Sequence, residues 1–116
     1  MSVEFGLTSE ALDGSRALVA LRGEVDIYTA PRFKERLLEL VDEGATGIVV
    51  DLSGVTFIDS TALGVLIGGV RRMHDVEGRM ALVVATRPVE RVLTITGLDR
   101  VFTIHDTREA AIAALG

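Results

Sequence analysis

The chain has 116 residues, 48% of them hydrophobic, a formal net charge of −5 and no cysteine. That length and apolar content describe one folded domain, expected to span residues 1–116, rather than a disordered segment. The single lysine, Lys34, and a largest basic cluster of only Arg71-Arg72 speak against nucleic acid binding, and the lack of cysteine excludes disulfides and thiolate metal sites. The opening Met-Ser-Val-Glu-Phe has no basic segment followed by an apolar core, so no export signal is read and a cytoplasmic protein is expected.

Val3, Phe5 and Leu7 alternate with polar residues or glycine, the pattern of a half-buried strand. Asp13-Gly14 is a tight-turn pair. Ala17 to Leu21 then predicts a second strand, antiparallel to the first, which stops at Gly23-Glu24-Val25-Asp26, a loop bearing two carboxylates. A helix begins at Thr29 or Ala30 with Pro31 in its first turn, where the missing N–H costs nothing. Phe33, Leu37, Leu40 and Val41 form its buried stripe, and Gly44 stops it.

Ile48-Val49-Val50 opens a short apolar, β-branched run that reads as a buried strand. A loop over Ser53 to Ser60 follows, and then Leu63, Leu66, Ile67 and Val70 recur at i, i+3, i+4 and i+7, one face of a helix that ends near Glu77-Gly78. Arg79 to Ala85 is the next strand. Thr86 caps a helix opened by Pro88, with Val89, Val92 and Leu93 inward and Gly97 at its end. Val101 to Ile104 is a short last strand. Asp106 and Glu109 read as a capping box before a final helix packed by Ala111, Ala114 and Leu115.

The order β-β-α-β-α-β-α-β-α predicts an α/β fold, with a mixed, mostly parallel sheet of about five strands and about four helices. In such sheets the loops after the strands gather at one edge, where sites form. That edge should collect residues 23–26, 53–60, 86–87 and His105.

Ser60 stands where a strand has finished and a helix begins. The first amides of a helix have no intrahelical partners. Asp59 and Ser60 can serve there as plain caps, or Ser60 can carry a phosphoryl group that the amides and helix dipole favour. From Ala62 to Val70 no side chain is polar. A small domain buries one side of such a helix, so the opposite side, Thr61, Val65, Gly68 and Arg72, should face water or a partner.

Other chemistries fit less well. A serine hydrolase would want a G-x-S-x-G element and a histidine near Ser60; neither is visible, although His105 could approach the same edge. No G-x-x-x-x-G-K-[ST] supports an NTPase. Asp51 and Asp59 resemble receiver aspartates, but no lysine follows Lys34. A cation held by Asp26, Asp51 and Asp59 is a further alternative.

Gly23-Glu24-Val25-Asp26, Asp51-Leu52-Ser53-Gly54-Val55, Phe57-Ile58-Asp59-Ser60-Thr61-Ala62-Leu63-Gly64-Val65 and Thr96-Gly97-Leu98-Asp99-Arg100-Val101-Phe102 resemble the STAS-domain anti-sigma factor antagonists. The resemblance spans nearly the whole chain. It implies that Ser60 is the phosphorylation site, with Thr61 as a second acceptor. It implies a partner that is both an anti-sigma factor and an ATP-using serine kinase, and a PP2C-type phosphatase that resets the switch. The family's common pattern is Asp-Ser-Ser-Gly-Leu-Gly, where this chain has Asp-Ser-Thr-Ala-Leu-Gly. Together with the apolar helix face, this gives a partner-binding set of Glu24, Asp26, Asp59, Ser60, Thr61, Gly64, Val65, Gly68 and Arg72. No cofactor, metal, nucleic acid or membrane is implied, and no enzymatic activity. The alternatives are a STAS interaction module of another signalling assembly, or a small serine hydrolase using Ser60.

Overall fold

Ile48, Val49 and Val50 are buried at the centre of a sheet, as an unbroken β-branched run requires of a strand covered on both faces. The structure is a computed structural model and describes residues 4–116. Among these residues the elements run β1 (Gly6–Ala11), β2 (Arg16–Val25), α1 (Ala30–Asp42), β3 (Gly47–Ile58), α2 (Ser60–Asp75), β4 (Arg79–Val83), α3 (Arg87–Ile95), β5 (Thr103–His105) and α4 (Arg108–Ala114), with a 3₁₀ turn over Leu98–Arg100. The strands lie in the order β1-β2-β3-β4-β5. β1 is antiparallel to β2 and every other pair is parallel. The expected α/β class, element order and mixed sheet are all present.

Alternation along the central strands divides the core in two. Val19, Leu21, Ile48, Val50 and Leu82 pack with α1, α2 and α3. Leu18, Val49, Ala81 and Val83 pack on the other side, against Ala111 and Leu115 at α4 and its end. No helix of the described residues is long and apolar enough to cross a membrane.

Several boundaries differ from the sequence reading, each for a physical reason. The first strand begins at Gly6, after Phe5, and Val3 lies outside the described residues. Gly23-Glu24-Val25 continues β2 and Ser53 to Ile58 continues β3; neither segment is a loop. Their pairing steps from Ala20–Asp51 to Arg22–Gly54, and from Gly23–Val55 to Glu24–Phe57. At each step β3 spends one residue more than β2, which breaks the period-two pattern and makes Ser53-Gly54 look like a turn. Thr86 precedes α3 but makes no capping hydrogen bond; its Oγ1 donates to Val55 O (3.0 Å) instead. The last strand is Thr103–His105, not Val101 to Ile104. Its later end shifts the following cap: Thr107, not Asp106, accepts from Ala110 N–H (3.1 Å), and the capping box does not form. Ile67 is half-buried, and Met73 completes the buried stripe of α2 in its place.

Asp51 is a buried charged residue on β3. Its carboxylate accepts from Ser53 N–H (2.8 Å) and from Arg108 Nε of α4. Burial pushes the carboxyl up, but the bonds from Ser53 and the Arg108 guanidinium outweigh it and hold Asp51 below its ordinary value. Asp51 is therefore committed to α4, which corrects the alternative of a cation shared with Asp26 and Asp59. Among the described residues no group of three His, Cys, Asp or Glu could hold a metal ion.

Arg108→Ala strips a buried carboxylate of one partner and should cost about 1–3 kcal/mol at neutral pH. A depressed carboxyl stabilises the fold above its unfolded value and loses that contribution as pH falls through the folded value. Urea melts should therefore show a gap between wild type and variant at neutral pH that narrows below the carboxylate range.

Candidate functional site

β2 and β3 are paired to their last residues, Val25 opposite Ile58, and Asp59 N–H still donates to Val25 O (3.2 Å). α2 begins one residue later, at Ser60, with Asp59 as its N-cap. The Asp59 carboxylate has two tasks. Oδ1 accepts from Ala62 N–H (3.0 Å), and Oδ2 accepts from Ile27 N–H (3.1 Å) across the gap to the β2–α1 connection. Of the two cap candidates, then, Asp59 caps. Ser60 is left as the first helical residue, exposed to solvent.

The connection from β2 to α1 is held by its own side chains. Asp26 Oδ1 accepts from Tyr28 N–H (2.9 Å) and Thr29 N–H (3.1 Å). Thr29 Oγ1 accepts from Asp26 N–H (2.9 Å) and donates to Glu24 O (3.0 Å). Between these anchors Ile27 and Tyr28 stand out from the surface, 60% and 86% exposed. Phe57, paired with exposed Glu24 at the end of β3, is 50% exposed. Ile27, Tyr28 and Phe57 thus leave large apolar side chains exposed at the C-terminal ends of β2 and β3.

Thr61, Gly64, Val65, Gly68 and Arg72 line one wall of a groove of about 580 Å³ between α1 and α2. Leu38 and Val41 stand on the α1 side, with Ile48 and Met80 among the lining residues from the sheet. Three glycines of α2 divide their work. A Cβ on Gly69 would lie 2.8 Å from Met80 Cε and 3.2 Å from Leu37 Cδ1, so a side chain there would have to displace the ends of these two flexible side chains. A Cβ on Gly64 or Gly68 would meet nothing within 4 Å, so these two keep the outward face low. Val65 is half-buried in the groove wall.

Glu24, Asp26, Asp59 and Ser60 thus gather at the strand ends, while Thr61, Gly64, Val65, Gly68 and Arg72 run from there along the groove. The sequence reading missed Ile27, Tyr28 and Phe57. The signal was available: Ile27-Tyr28 is a large apolar pair that belongs to no periodic element. It also missed Lys34, Leu38 and Val41, whose part in the groove depends on how far apart α1 and α2 sit. Neither histidine addresses Ser60. His74 lies roughly 20 Å along α2, and His105 Nε2 is buried without a partner.

A family model of the STAS domain matches residues 10–111. The chain belongs to the STAS domain family. An anti-sigma-B factor antagonist of Staphylococcus epidermidis is 29% identical to this STAS chain over 91 residues, 78% of this chain and 84% of that one. A candidate anti-sigma factor antagonist of Thermotoga neapolitana is 40% identical over 90 residues, 77% of this chain and 80% of its own length. The crystal structure of an anti-sigma factor antagonist from Mycobacterium paratuberculosis matches this STAS fold with a TM-score of 0.89 at 28% identity, over 97% of this chain and 94% of that one.

Asp59→Ala should cost this STAS domain about 1 kcal/mol through loss of the cap. In hydrogen-exchange NMR the amides of both Ala62 and Ile27 should exchange faster. Asp59→Asn keeps one acceptor oxygen and should preserve protection at one of the two amides.

Proposed function

We propose that this chain is an anti-sigma factor antagonist whose docking is switched off by phosphorylation. In this reading the unphosphorylated chain binds an anti-sigma factor that is also a serine kinase, and so frees the sigma factor. Phosphorylation at Ser60, with Thr61 as the second acceptor, ends that binding, and a PP2C-type phosphatase resets it. The docking surface comprises Glu24, Asp26, Asp59, Ser60, Thr61, Gly64, Val65, Gly68 and Arg72, joined by the newly seen Ile27, Tyr28 and Phe57. The relatives described as anti-sigma factor antagonists support the partner class.

The observation that carries this reading is the placement of Ser60. Ser60 is solvent-exposed as the first residue of α2, next to the Asp59 carboxylate, and at the same strand ends as Glu24, Asp26 and the exposed Ile27 and Tyr28. Phosphorylation adds a charge of about −1.5 to −2 at neutral pH. The fold need not respond, because a helix N-terminus accommodates an anion. A partner seated on Ile27, Tyr28 and Val65 must respond, because it would have to desolvate that charge next to Asp59. A penalty of roughly 3 kcal/mol weakens binding about a hundredfold, enough for a switch. The chain supplies the acceptor, and the kinase supplies the nucleotide, its metal and the base.

Incubation with purified anti-sigma factor kinases and ATP, followed by mass mapping, should place one phosphoryl group on Ser60. Ser60→Ala should bind the kinase and resist labelling. Ser60→Asp should bind about a hundredfold more weakly; binding at wild-type strength would refute the switch. Val65→Glu should also weaken binding, and an unchanged affinity would move the docking surface elsewhere.

A further inference from the structure

We infer that the groove between α1 and α2 receives an amphipathic helix of the protein partner, whose apolar edge fills the groove and whose two carboxylates, about two turns apart, meet Lys34 and Arg72. The inference rests on the proposed function for the existence of that partner, and adds the chemistry of what it inserts.

The groove is apolar along its length yet has a cation on each helix. Lys34, the only lysine of the chain, lines it from α1, and Arg72 lines it from α2. No carboxylate lines the groove, and neither cation forms an ion pair with a described residue. Two unmatched cations beside an apolar trough call for an apolar body bearing anionic groups.

Their spacing selects the body. Pro31 in the first turn of α1 and Thr61 in the first turn of α2 both line the groove, so the two helices enter it from the same end. Lys34 stands in the first turns of α1, whereas Arg72 is near the far end of α2. At the rise of an α-helix the two are offset by roughly 12 Å along the groove. A fatty acid, with one carboxylate, could satisfy only one of them. A helix with acidic residues seven or eight positions apart presents two carboxylates on one face at that separation, with apolar residues between them at i+3 and i+4. Gly64 and Gly68 supply the remaining requirement: with open space above both, a helix backbone can approach closely. Thr61 stands at the end of the groove next to Ser60, so an inserted helix would lie within reach of the phosphorylation switch.

The test measures affinity of the unphosphorylated chain for its anti-sigma factor kinase by titration calorimetry. Lys34→Glu and Arg72→Glu should each weaken binding about tenfold, whereas Lys34→Arg and Arg72→Lys should retain it. An acid-to-lysine substitution in one kinase helix should restore affinity to the Glu variants and to no other. Both cations are exposed, so melting temperatures should stay within a few degrees of wild type. If the double Glu variant binds as wild type while Ser60→Asp does not, the groove inference falls and the proposed function stands. If no such kinase binds the wild-type chain, both fall. If dodecanoate shifts the Val65 and Leu38 methyl resonances and leaves the kinase bound, the occupant is a lipid and the inference is overturned.

Discussion

Two backbone amides, those of Ala62 and Ile27, share the Asp59 carboxylate, and through it the first turn of α2 and the tip of the β2–α1 connection are held as one piece. Most of the site's geometry follows from that bridge. The connection carries Ile27 and Tyr28 into solvent, a placement that exposes apolar surface and would collapse onto the core if the loop were slack. Asp26 and Thr29 close the loop from within, and Asp59 ties it from outside. The exposed Ile27 and Tyr28 are therefore held in place by the fold itself. The same carboxylate places a negative charge next to Ser60, so one residue sets both the loop's shape and the charge at the start of α2.

The second organising constraint is how closely α2 approaches its neighbours. Gly69 is buried, and a Cβ there would press on the ends of Met80 and Leu37. Gly64 and Gly68 meet nothing, so the trough between the helices stays shallow-walled and open along one side. Close contact with the sheet and an accessible outer face are opposite demands on one helix. They are met by glycines a few positions apart, at some cost in helix propensity.

Much of this was legible in the sequence because it is written in local chemistry. Turn residues and periodicity located α1, α2 and α3: Pro31 in the first turn of α1, Gly44 and Gly97 at positive φ after helices, and Leu63, Leu66 and Val70 on the buried face of α2. The strand-to-helix junction at Asp59-Ser60 was legible for the same reason. What was hidden depends on pairing between distant segments. The register shifts between β2 and β3 made strand look like loop at Ser53-Gly54 and at Gly23-Glu24. Asp51 could not be assigned without α4, since its partner Arg108 lies 57 residues on. The groove depends on the gap between two helices, which no single segment encodes, so Lys34 carried no site reading from the sequence.

The strand order bears on how the molecule is made. Each strand lies beside the one synthesised just before it, from β1 through to β5. No later strand has to be threaded between two earlier ones, and each parallel crossover closes over a single intervening helix unit. The sheet can thus accrete one unit at a time as the chain leaves the ribosome, with β3, its longest strand, as the template on which the C-terminal half is laid. Until β4 arrives, the far edge of β3 is an unpaired row of amides and carbonyls flanking the buried Ile48-Val49-Val50, an edge open to pairing with another chain.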